Sequence, residues 1–189
     1  MFYRRHLPHW IPESAVLFVT WRLAGSRPPV APERLTAANT GRSAFYQNDA
    51  ALDRWRGGPL WLEDSRVANL LAGALRYGEA KQFYTLHAWV IMPNHVHLLI
   101  EPQIEFPRIM RWLKGTTARR ANRILGRSGL PFWQVESYDH WVRSPEELQE
   151  LIHYIEENPI NAGLVRSVEQ WPWSSASADD KKRSSALRV

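Results

Sequence analysis

Met92-Pro93-Asn94-His95-Val96-His97-Leu98-Leu99-Ile100 is the stretch on which the fold turns. Alternate side chains of an extended chain face opposite ways, so Val96, Leu98 and Ile100 point into a core while His95 and His97 share the other face. The proline and asparagine just before His95 have the composition of a tight turn. Upstream, residues 81–91 alternate and are rich in β-branched and aromatic types, so the two runs form a hairpin. A strand holds two imidazoles more rigidly than a loop does, and a neutral pair suits a divalent metal. His-x-His also occurs in strands with no such role, so the rest of the chain must supply the other parts of a site.

Working outward, residues 62–77 place Val67, Leu70, Leu71, Ala74 and Leu75 at helical spacing, with Asp64 or Ser65 as cap and Gly78 as the stop. Residues 14–23 read as a first strand, preceded by an extended arm in which His6 and His9 sit beside prolines as loop residues. Between Gly25 and Pro59 the composition shifts to Pro, Gly, Ser, Asn and Arg, the mark of a long excursion with short helix near residues 34–39 and 50–55. His87, in the first strand of the hairpin, has no partner by spacing and reads as structural.

Downstream of Pro107 a long basic helix packs through Ile109, Trp112, Leu113, Ala121, Ile124 and Leu125, with Gly115-Thr116-Thr117 weakening its middle. Residues 126–131 break it, and residues 132–142 return to strand composition. Ser144-Pro145-Glu146-Glu147 then opens a last helix with a capping box, and Pro159 limits that helix to about Asn158. The order strand, helix, hairpin, helix, strand, helix predicts an α+β fold. Its core is a ferredoxin-like split βαβ antiparallel sheet with helices on one face and an extra C-terminal helix. Residues 1–176 form one domain, with 25–60 as an insertion, and 177–189 form a flexible polar tail.

The 189 residues include no cysteine, which excludes disulfides, thiolate zinc sites and cysteine nucleophiles. A metal must take His, carboxylate or amide donors, which favours a harder ion than structural zinc. No apolar run reaches the roughly 20 residues of a membrane span, and the N-terminus lacks the apolar stretch of a signal peptide, so a cytoplasmic protein is expected. Of the net charge of +5, residues 106–135 carry +7 and the remainder −2. Arg108, Arg111, Lys114, Arg119, Arg120, Arg123 and Arg127 are therefore candidate phosphate contacts, with Trp112 and Trp133 available for base stacking. The plainer alternative is a solvated helix of a basic protein.

On the last helix Leu148, Leu151, Ile152 and Ile155 form the apolar stripe, and Tyr154 and Asn158 lie roughly 40° apart on its flank. Both can meet the sheet edge where the histidines emerge, supplying a nucleophile and a third metal ligand. A border aromatic and a residue closing a helix before proline are the simpler alternatives.

Several motifs together resemble the REP-associated tyrosine transposases, within the HUH class of single-strand insertion-sequence transposases. They are Met92 to His97, Phe132-Trp133-Gln134, Tyr138-Asp139-His140, His153-Tyr154-Ile155-Glu156-Glu157-Asn158-Pro159 and Ala162-Gly163-Leu164-Val165. The resemblance runs from about Arg5 to Ser175. It implies a divalent metal, Mg²⁺ or Mn²⁺, on His95, His97 and Asn158, with Tyr154 as the attacking residue. It also implies a single-strand endonuclease and strand transferase that acts near hairpin DNA through a 5′-phosphotyrosine, associated with the nucleoid as a monomer or homodimer. Two alternatives remain open: a replication initiator or relaxase of the same chemistry, and a catalytically idle binder of repetitive hairpin DNA.

Overall fold

The computed structural model describes residues 15–26, 58–178 and 180, together with the backbone of two short strands, β1 (Phe2–Arg4) and β2 (Pro8–Trp10). β1 and β2 pair antiparallel, so the N-terminal arm is a small ribbon rather than a single extended run. The helices expected near residues 34–39 and 50–55 lie outside the described residues.

Four further strands form the main sheet: β3 (Leu17–Arg22), β4 (Tyr84–Ile91), β5 (His95–Pro102) and β6 (Tyr138–Trp141). Their spatial order is β4-β5-β3-β6, and every neighbouring pair is antiparallel. Helices α1 (Ser65–Ala80) and α2 (Phe106–Ile124) are the two crossovers, and α3 (Pro145–Asn161) follows β6. This is the expected split βαβ arrangement. No helix among the described residues is long and apolar enough to cross a membrane.

The period of two decides the layers. Leu17, Val19 and Trp21 of β3 and Val96, Leu98 and Ile100 of β5 are buried in one core with Val67, Leu71 and Leu75 of α1 and Ile109, Met110 and Leu113 of α2. Phe18, Ala88, Val90 and Leu99 face the other way and are buried with Leu151 and Ile155 of α3. α3 therefore lies across the second face of the sheet, whereas the sequence placed it at an edge. Because that face is also apolar, it needs a cover, and α3 provides it.

Helix ends correct three of the sequence expectations. α1 does not stop at Gly78: it runs to Ala80 and closes where Gln82, at φ 56°, donates to Glu79 O and Phe83 N donates to Gly78 O. That is a Schellman ending with a non-glycine residue in the left-handed region. Gly78 serves close packing instead, since a Cβ there would lie 2.6 Å from Tyr84 Cζ. α3 likewise passes through Pro159 and ends at Gly163, at φ 70°, with Gly163 N on Ile160 O and Leu164 N on Pro159 O. A proline in the last turn forfeits one intrahelical bond without blocking the end.

The capping box of α3 is half formed. Ser144 Oγ accepts from Glu147 N at 3.2 Å, but the Glu147 carboxylate accepts from Arg143 N at 2.7 Å and from His140 at 2.9 Å. An imidazole on β6 offers the acid a better partner than the cap amide would. α2 is continuous through Thr117, whose hydroxyl donates to Leu113 O at 2.6 Å and accepts from Trp133 Nε1 at 3.0 Å. Asp64 caps α1 by accepting from Arg66 N, and the Arg66 guanidinium beside it holds its carboxyl down at about 2.

After α3 the chain returns along the outer rim of β4. Ile91 N donates to Trp173 O, Ser175 N donates to Trp89 O, and Trp171 Nε1 donates to Ile91 O. Ser175 Oγ also meets Glu156 of α3 at 3.2 Å. Ser177 and Asp180, in the segment expected to be a tail, are buried, and Asp180 pairs with Arg76 of α1.

Candidate active site

The turn before β5 is tied down three times: Met92 N donates to His95 O, Leu23 N to Asn94 O, and Leu62 N to Pro93 O. From this anchored start, His95 and His97 project from the α3 face of the sheet, both fully buried. Their Nε2 atoms converge to 3.0 Å. Each Nδ1 is held by a neutral polar group: Asn94 Oδ1 accepts from His95 Nδ1 at 2.6 Å, and Thr20 Oγ1 lies 2.8 Å from His97 Nδ1. Thr20 is directly opposite His97 in the β3–β5 register.

Tyr154 of α3 comes to the same place. Its ring centroid lies 5.8 Å from that of His97 and 6.3 Å from that of Phe18, while Phe18 stacks on His97 at 5.6 Å and 16°. Asn158, one helical turn further on, is 1% exposed. The tyrosine helix therefore meets the histidines of its own chain. The bond of Glu147 to His140 fastens the N-terminus of that helix to β6, the outer neighbour of β3.

The histidine geometry can be tested against a metal. Two donors about 2.1 Å from one ion and at right angles to each other are about 3 Å apart, which is the spacing of the two Nε2 atoms. Ligating imidazoles ordinarily have the other ring nitrogen hydrogen-bonded, as here. Among the described residues no group of three or more His, Cys, Asp or Glu side chains is arranged to hold a metal. Among the described residues the two imidazoles, with the buried amide of Asn158 on the facing helix, would fit a hard divalent ion that keeps several positions open.

The basic residues do not join this site. α2 packs on the opposite face of the sheet, so the exposed Arg108, Arg111, Arg119 and Arg123 form a stripe on the far side of the molecule from His95 and His97. Arg120 is exposed beside them. Lys114 and Arg127 have structural contacts: Lys114 donates to Gln134 O and Val135 O, both at 2.7 Å, and Arg127 stacks 3.7 Å above the Trp61 ring. Trp133 is buried in the core, which withdraws it from base stacking, whereas Trp112 is only partly buried. His87 sits at the β4 bulge, 3.9 Å from Glu101, with burial pushing its pKa down.

Thr20 and Phe18 escaped the sequence reading as participants, and Asn94 and Tyr138 entered it only as a turn residue and as part of a motif. Thr20 left a signal as the one hydroxyl in the run Leu17-Phe18-Val19-Thr20-Trp21. Tyr138 is 40% exposed, lies opposite Thr20 in register, and has its ring 6.5 Å from Phe18.

Comparison with known proteins places these residues in context. A REP-associated tyrosine transposase of Escherichia coli (strain K12) is 27% identical over 99 residues, covering 51% of this chain and 56% of that protein. A Haemophilus influenzae protein that carries the same name provisionally is 33% identical over 104 residues, covering 48% of this chain and 58% of that one. The matched segments thus span just over half the length of these curated relatives. A solved structure described as a REP-associated tyrosine transposase bound to a REP hairpin shares the fold, with a TM-score of 0.54. It is 21% identical and covers 92% of this chain and 81% of that one. The family model for IS200-like transposases matches residues 61–158, a segment that includes His95, His97, Tyr154 and Asn158. Since that segment is more than half of the chain, the protein belongs to the IS200-like transposase family.

Proposed function

We propose that the protein is a metal-dependent single-strand DNA endonuclease and strand transferase that cuts near hairpin repeats through a 5′-phosphotyrosine. The observation that carries this reading is the meeting of Tyr154 with His97 on one buried face, where the two Nε2 atoms stand 3.0 Å apart. His95 and His97, with Asn158, would hold Mg²⁺ or Mn²⁺, which supplies Lewis-acid polarisation of the scissile phosphate. Tyr154 attacks phosphorus, the phosphorus–oxygen bond to the 3′ side breaks, and the phenol's proton is balanced by the one the departing 3′-oxygen takes up. One ester replaces another, so a 3′-OH from a second strand reverses the step and joins DNA without a nucleotide cofactor. The contact of Tyr154 with its own His97 supports a site completed within one chain.

A strand crossing this face would meet Tyr138, an exposed ring suited to stacking a base next to the reacting phosphate. The arginine stripe on the opposite face is a separate electrostatic surface, suited to the backbone of paired DNA. Replacing Arg111 and Arg119 together by alanine should reduce the slope of log affinity against log salt by about 0.7 to 0.9 per lost phosphate contact. Lys114→Ala should leave the slope alone and lower the melting temperature, because its ammonium serves two backbone carbonyls. Unchanged slopes in the arginine variant would remove the stripe from the interface.

The reading is tested by incubating the protein with labelled single-stranded hairpin DNA and Mg²⁺ or Mn²⁺. An adduct that survives denaturing electrophoresis and disappears with chelator is expected. Salt-sensitive binding of the hairpin with no adduct under any metal, even with long flanking DNA, would instead identify an idle binder.

A further inference from the structure

We infer that Thr20 is a positioning residue for the histidine pair: its hydroxyl lets His97 exchange tautomers, so that the pair closes on itself or turns both lone pairs toward a cation. The inference rests on the metal reading of His95 and His97.

A neutral imidazole carries one N–H and one lone pair. Asn94 Oδ1 can only accept, so the hydrogen of His95 is on Nδ1 and its Nε2 presents a lone pair. Across the 3.0 Å between the two Nε2 atoms a hydrogen bond then requires His97 to carry its hydrogen on Nε2. His97 Nδ1 is in that state an acceptor, and Thr20 Oγ1, at 2.8 Å, donates to it. A cation between the rings demands the other form. His97 Nε2 must give up its hydrogen and Nδ1 must gain one, leaving the ring neutral, and the partner of Nδ1 must now accept.

A hydroxyl does both by rotating about one bond, with no heavy atom displaced. An amide oxygen in its place would hold His97 in one form, and a methyl group would serve neither. The strand and the stacked ring hold the two heavy-atom partners in place. Thr20 is 7% exposed on an inner strand, in register with His97, and Phe18 stacks on the same imidazole at 16°. Asn94 and Thr20 therefore divide the work: Asn94 fixes His95 in the ligating form, and Thr20 keeps His97 adjustable.

The test compares Thr20→Val, which keeps the shape and loses the hydroxyl, with Thr20→Ser, which keeps the hydroxyl. Mn²⁺ titration calorimetry on the full chain should show a 10- to 100-fold loss of affinity for Thr20→Val, the usual cost of removing such an outer partner, and near-wild-type affinity for Thr20→Ser. Nitrogen-15 spectra of the imidazoles should show His97 with its hydrogen on Nε2 in metal-free protein and on Nδ1 with Mg²⁺ bound. Equal Mn²⁺ affinity in Thr20→Val, or a single His97 tautomer throughout, would overturn the inference while leaving the metal reading intact. A wild-type protein that takes up no Mn²⁺ would overturn the metal reading itself, and this inference with it.

Discussion

Tyr154→Phe protein should bind hairpin DNA as the wild type does and form no covalent adduct, an expected loss of more than about a thousandfold in cleavage. The substitution removes one oxygen and leaves the ring. Contacts of that ring with His97 at 5.8 Å and Phe18 at 6.3 Å are ring contacts, which phenylalanine retains. The helix beneath is held independently, by the apolar stripe through Leu151 and Ile155 and by the bond of Glu147 to His140. The cost in stability is confined to what the hydroxyl itself contributes, about 1 kcal/mol. Adduct yield on a denaturing gel, read beside binding by anisotropy, separates chemistry from folding. Normal adduct yield in Tyr154→Phe would assign the nucleophile elsewhere, and Tyr138 is then the next tyrosine to test.

Gly78→Ala should be the most damaging single methyl group on the helix layer. An added Cβ would lie 2.6 Å from Tyr84 Cζ and 2.8 Å from Cε1. Tyr84 has nowhere to retreat: it is 1% exposed and donates its hydroxyl to Leu75 O at 2.7 Å. The same burial pushes its phenol well above the ordinary range, so the group stays a neutral donor. Either α1 moves off the sheet or the tyrosine loses its bond, and overpacking with a lost buried hydrogen bond costs about 3 kcal/mol. For a chain of this size that lowers the melting temperature by about 10 °C. Tyr84→Phe removes the hydroxyl and should soften the penalty, so the two substitutions together should cost less than their sum. A Gly78→Ala protein that melts with the wild type would show that the helix has slack here.

The split βαβ arrangement was legible from the order of the elements, and the shared face of the two histidines from the alternation of β5, while the resemblance implied their partnership with Tyr154. The hairpin around Pro93 and the alternation of β5 settled which face the imidazoles occupy, and the spacing of Leu151 and Ile155 marked the inward side of α3 but not the sheet face that it covers. Helix ends were less legible. Gln82 adopts the left-handed region where glycine is the usual signal, and Gly78, which looks like a stop, makes room for a tyrosine six residues later. The position of the arginine stripe was written in the sequence but only jointly: α2 must cover the face that Val96, Leu98 and Ile100 point to, which is the face His95 and His97 avoid. Thr20 stood out only as the one hydroxyl of its strand, since its place against His97 is set by pairing with β5.

The segment along β4 has a consequence for how the protein is made. A ribosome delivers Trp89, Val90 and Ile91 some 80 residues before Trp171, Trp173 and Ser175, which satisfy that rim. Until synthesis passes residue 175, the nascent sheet has a bare apolar border at β4, the kind of edge on which chains pair with one another. A late stretch of the domain is thus the one that ends its hazard as a nascent chain. Conditions that stall or shorten translation just before Trp171 should yield insoluble protein even though every catalytic candidate has already been made.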